Sequence, residues 1–111
     1  MDAELVAWAE RVRGCEDVQL MAELQQLVRK DRRCEARMLM YLAEVDERRL
    51  FLAHGHASLF RYATAVLRMS EPQAYLRIQA ARLARRYPVV LELLAEGALK
   101  LIQDRVAIRA V

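Results

Sequence analysis

Leu5, Trp8, Ala9 and Val12 follow the i, i+3, i+4, i+7 spacing of one helical face. That spacing predicts an amphipathic helix over 2–13, which Gly14 can stop. From residue 18 to residue 53 neither Gly nor Pro interrupts the chain, and Asp17 stands where a helix start needs a cap. Leu20, Leu24, Leu27, Asp31, Cys34, Met38, Tyr41 and Val45 recur there at alternating steps of four and three. The pattern predicts one long helix over 18–53, with a single polar break at Asp31. Its apolar stripe has two readings. It is either a core spine packed by the first helix and the C-terminal helices, or a seam through which two copies of the chain form a homodimer. Cys34 lies on that stripe and is expected to be a buried, reduced thiol.

Beyond Gly55 the pattern shortens. Ser58 caps an expected helix over 59–67, and Arg68-Met69 makes a turn. Ser70-Glu71-Pro72-Gln73 has capping-box spacing and tolerates Pro in its first turn. It opens a helix that Pro88 ends. A fifth helix is expected over 89–96, stopped by Gly97, and a sixth over 99–110. The fold class is all-α, with about six helices. We read 1–111 as a single helical domain: N-terminal helices over 1–55, then a helix-turn-helix-like part over 56–111.

Composition strengthens this reading. Ala, Leu and Arg supply 51 of 111 residues, all good helix formers. One Thr, three Gly, two Pro and no Asn leave almost no hairpin turn chemistry. No apolar run approaches the roughly 18 residues of a membrane span, and the acidic start Met1-Asp2-Ala3-Glu4 lacks the form of a secretory signal. A cytoplasmic location is the expectation.

Candidate chemistry is sparse. Cys15 and Cys34 stand nineteen positions apart, without the paired ligands of a zinc site. His54 and His56 flank Gly55 with no accompanying carboxylate cluster. There is no Gly-rich phosphate loop and no nucleophile elbow, and both serines sit at helix starts. No catalytic residue, metal, cofactor or small-molecule substrate is assigned.

Charge changes the picture. The net charge of +3 divides into −2 over residues 1–55 and +5 over 56–111. Arg61, Arg68, Arg77, Arg82, Arg85 and Arg86 fall within 61–86 against Glu71 alone. Such a concentration is the footprint of phosphate contacts. On the expected helix ending at Tyr87, Leu76, Ala80, Leu83 and Tyr87 form an apolar stripe, and Ala74, Ile78 and Ala81 extend it. Tyr75, Gln79, Arg82 and Arg86 line a separate face. Gln and Arg are the residue types that pair bidentately with adenine and guanine edges. The short helix, the tight turn and the longer polar-faced helix together spell helix-turn-helix over 59–87. In that motif the turn holds a left-handed residue, commonly Gly, and the nearest position here is Arg68.

These residues also carry a resemblance. Leu42-Ala43-Glu44-Val45-Asp46-Glu47-Arg48-Arg49, Gly55, Ser58-Leu59-Phe60-Arg61-Tyr62 and Ser70-Glu71 are its first part. The run from Arg77-Ile78-Gln79-Ala80-Ala81-Arg82 to Arg85-Arg86-Tyr87-Pro88, then Leu91, Leu94, Gly97 and Leu99, is its second. Over roughly 20–105 the chain resembles the helical N-terminal region of bacterial HNH-endonuclease-like proteins of the myxobacterial type. Arg68 stands where that group usually carries Gly. More loosely, 58–101 resembles the helix-turn-helix core of ParB-type partition proteins. Both resemblances imply double-stranded DNA as partner. Neither implies catalysis here, because two clustered histidines and no Asn cannot make an HNH site.

The expected function is therefore a non-catalytic DNA-binding module. Tyr75, Gln79, Arg82 and Arg86 would face the groove, with Arg61, Arg68, Arg77 and Arg85 on phosphates. The alternatives are a helical interaction or dimerisation module without nucleic acid, and the leading part of a nuclease whose chemistry lies beyond Val111.

Overall fold

The computed structural model of the chain describes residues 2–102 and 105–108. Six helices run through them: α1 (Ala3–Arg13), α2 (Asp17–Arg48), α3 (Leu50–Ala53), α4 (Leu59–Ala65), α5 (Glu71–Arg86) and α6 (Val89–Glu96). The all-α reading therefore holds, with one long helix followed by shorter ones. No helix among the described residues is long and apolar enough to cross a membrane.

Two expectations are corrected. The helix expected over 99–110 is replaced by an antiparallel hairpin, β1 (Leu99–Ile102) with β2 (Arg105–Ile108), paired Leu99 with Ile108 through Ile102 with Arg105. Gly97 ends α6 at φ +79°, and the chain then lays β1 against α5 and α6. A segment of about ten aliphatic and basic residues is short enough for tertiary contacts to override its helix propensity. Second, the helix expected over 18–53 breaks at Arg49, which sits at φ +52°. The break changes which side chain turns inward. A helix continuing the buried positions 36, 39 and 43 would bury Leu50, yet Leu50 is 43% exposed and Phe51 is buried at 8%. A left-handed non-Gly residue costs about 1–2 kcal/mol, a cost of the same order as burying one Phe gains.

The chain divides into two compact units, residues Met1–Asp31 and Arg32–Val111. In the first, Asp2 caps α1 by accepting from Glu4 N–H at 2.9 Å. No residue described there is buried. Ten large apolar side chains, from Leu5 and Trp8 on α1 to Leu24, Leu27 and Val28 on α2, are 37–84% exposed.

The second unit holds the core. Leu39, Leu42 and Ala43 of α2, Phe51, Leu59 and Ala63 of α4, and Val90 and Leu94 of α6 form one cluster with the inner face of α5. The core face of α2 thus departs from the expected stripe, of which Met38 and Val45 pack partly buried against the core. Tyr41 is 77% exposed and Cys34 is exposed, whereas Ala36, Leu39, Leu42 and Ala43 are buried. Alanines define this face together with leucines, and a stripe traced through the largest side chains passes beside it.

Candidate nucleic-acid interface

Local chemistry fixes the α4–turn–α5 segment. Ser58 Oγ accepts from Arg61 N–H at 3.1 Å and starts α4; Ser70 Oγ accepts from Gln73 N–H at 3.3 Å and starts α5. Between them Arg68 takes φ +59°, the left-handed turn position that the sequence assigns to it. Met69 N–H donates to Ala63 O at 3.1 Å and folds the turn back on α4. α4 and α5 pack against each other, and Ala63 of α4 and Ala74, Ala80 and Ala81 of α5 are fully buried.

Burial sorts the faces of α5. Ala74, Leu76, Ile78, Ala80, Ala81 and Ala84 point inward. Leu83 and Tyr87, expected on the apolar stripe, are 37% and 52% exposed. Tyr75, Gln79, Arg82 and Arg86 all lie on the exposed side. The Arg86 guanidinium rests 5.6 Å from the centre of the Tyr87 ring.

The arginines then separate into two groups. Arg77 forms a two-point pair with Glu35 at 3.0 and 3.3 Å, with both side chains about three-quarters covered. Arg82 grips Asp46 in the same fork at 2.9 and 3.2 Å. Arg85 reaches Glu44 at 3.4 Å and Glu47 at 3.5 Å. Hydrogen bonding from Arg48, with Arg85 adding to it, holds the Glu44 carboxyl below its ordinary range. The Asp46 hydrogen bond makes Arg82 still more basic. Arg61, Arg68 and Arg86 are exposed and meet no carboxylate among the described residues.

The four α2 carboxylates are what charge counting along the chain misses. A window over 61–86 contains Glu71 alone, but α2 brings Glu35, Glu44, Asp46 and Glu47 to the same helix. Their sequence signal is Glu35, Leu39, Leu42 and Asp46 at steps of four, three and four, a core stripe with an acid at each end. Among the described residues no group of three or more His, Cys, Asp or Glu is placed to hold a metal ion.

No protein-family model, curated protein or solved structure matches the chain.

Proposed function

We propose that the second unit is a non-catalytic DNA-binding module of helix-turn-helix type, presenting α5 to the major groove. The observation that carries this reading is the sorting of α5. Its small apolar face is sealed in the core, while Tyr75, Gln79 and Arg86 stand exposed, as do Arg61 and Arg68, and none of these three arginines has a carboxylate partner among the described residues. Arg61 and Arg68 suit phosphates, at the first helix and the turn. Gln79 and Arg86 suit base edges. Arg82 and Arg85 must first leave Asp46, Glu44 and Glu47, so phosphate competes with protein carboxylates for them. Arg77, held by Glu35 in a fork about three-quarters covered, is a structural residue in this reading.

Fluorescence anisotropy with duplex DNA tests it. Gln79→Ala and Arg86→Ala should weaken binding without loss of helix content. Asp46→Asn should strengthen it several-fold, by releasing Arg82 and removing a charge that repels phosphate. Unchanged affinity in all three variants contradicts the reading.

A second reading, self-association, is favoured by the first unit. A helix pair of about thirty residues is too small to hold a core of its own. Here it shows ten large apolar side chains to solvent. We assign this surface to a second copy of the chain, which fits the two-fold use of helix-turn-helix modules on paired half-sites. Sedimentation should find dimers, and Leu24→Glu with Leu27→Glu should yield folded monomers. A monomeric wild-type chain overturns it.

A further inference from the structure

A cavity of about 450 Å³ opens in the second unit between α2, α4, the Arg68 turn and the start of α5. Its walls include Leu42, Val45, Leu67 and Met69, and Tyr62 adds an aromatic side. The volume falls within the range of small-molecule sites, and the apolar walls with few polar groups match their usual make-up. The polar groups are all donors of one kind or amphoteric. Among the described residues, Arg68 and Arg77 are the only charged ones that line it, and no carboxylate does. Arg77 is neutralised from outside by the Glu35 fork. That leaves Arg68 as the uncompensated charge at an apolar cavity, with Gln73 beside it as a second hydrogen-bonding group.

Arg68 is also held in place by backbone that suits Gly better. The left-handed turn sets the backbone from which Arg68 departs, and Arg68 is among the residues that line the cavity. We propose that this cavity binds a small amphipathic carboxylate. The apolar body lies between Leu42, Val45 and Met69, and the carboxylate pairs with the Arg68 guanidinium and accepts from the Gln73 amide. Two methionines in the lining, Met38 and Met69, let the walls adjust to bodies of different shape. The charge complementarity selects an anion over a neutral or cationic amphiphile of the same length. The site shares Arg68 with the proposed phosphate contacts, and its own ligand is tested without DNA.

Isothermal titration with octanoate, 1-octanol and octylammonium tests the selection directly. The wild-type chain should bind octanoate at one site per chain. Octanol should bind about threefold more weakly, and octylammonium more weakly still, since a pair to a solvent-exposed guanidinium is worth about that factor. Arg68→Gly removes the cation while giving the turn the residue its φ favours, so the fold should persist by circular dichroism. In that variant octanoate should fall to the affinity of octanol. Equal binding of octanoate and octanol by the wild-type chain overturns the proposal, whether or not the variant folds. So does octanoate binding that survives Arg68→Gly, or no octanoate binding by the wild-type chain at about 5 mM.

Discussion

Three left-handed positions outside the loop at Gly55 show how single residues shape the second unit. Gly97 takes φ +79° at the end of α6, and a Cβ there would lie 2.8 Å from Nη1 of Arg32. The contact is with the tip of a flexible side chain, which can move; the backbone angle cannot be relieved in this way. Gly97→Ala should therefore cost about 1–2 kcal/mol of stability. Adding Arg32→Ala should recover little of that loss in urea unfolding. Arg49 and Arg68 accept the same conformation without being Gly, at φ +52° and +59°. At Arg49 the reward is Phe51 in the core. Leu39 shows the opposite case, with ordinary backbone and complete burial. Leu39→Ala should cost about 2–5 kcal/mol, a large share of the roughly 5–15 kcal/mol that holds a domain together.

At the scale of elements, α2 and α5 are tied by apolar contact and by four arginine–carboxylate links from three arginines. Glu44 contributes with a definite sign. Its carboxyl is held below the ordinary value of 4.5, mainly by hydrogen bonding from Arg48. Above that value both folded and unfolded chains carry the charge, and the stabilisation is fully present. As pH falls through 4.5 the unfolded chain takes up the proton first, and the advantage fades until the folded group is protonated too. Thermal stability should thus decline on acidification through this window, and Glu44→Gln should flatten the decline without abolishing it. Helix propagation differs between the units. Leu39→Pro should abolish cooperative melting, because it breaks α2 inside the core. Leu24→Pro should leave the melt of the second unit intact, because no residue from 2 to 31 is buried.

These elements also show what was legible in the sequence. Ser58, Ser70, Pro72, Pro88 and Gly97 mark helix ends by local chemistry, and α4, α5 and α6 begin or end beside them. The faces were harder. Periodicity traced through Leu20, Leu24, Leu27 and Tyr41 follows large side chains, whereas burial follows fit to a neighbour, and Ala36 and Ala43 fit. The break at Arg49 carries no Gly or Pro signal, since it answers to Phe51 and a tertiary core. Of the candidate DNA-contacting residues, Tyr75, Gln79, Arg86, Arg61 and Arg68 are exposed as their pattern implies. The pairing of Arg77, Arg82 and Arg85 was hidden because their partners lie 36 to 42 positions away.

For the whole molecule, a net charge of +3 understates what a duplex would meet. Acidic residues concentrate in the first half of the sequence, and the carboxylates on α2 already engage half of the arginines within 61–86. In the proposed reading, two arginines remain for phosphate without leaving a carboxylate, Arg61 and Arg68, while Arg86 is left for the groove. Salt dependence counts such contacts. Each phosphate neutralised contributes close to one unit to the slope of log affinity against log salt. Anisotropy of a labelled duplex, titrated with the intact chain across a series of salt concentrations, is the most direct measure. The account predicts micromolar-range binding with a slope of about −2 or steeper, reduced by about one unit in Arg61→Ala. Absence of salt-dependent binding at about 50 μM protein, or a slope that Arg61→Ala leaves unchanged, would contradict it.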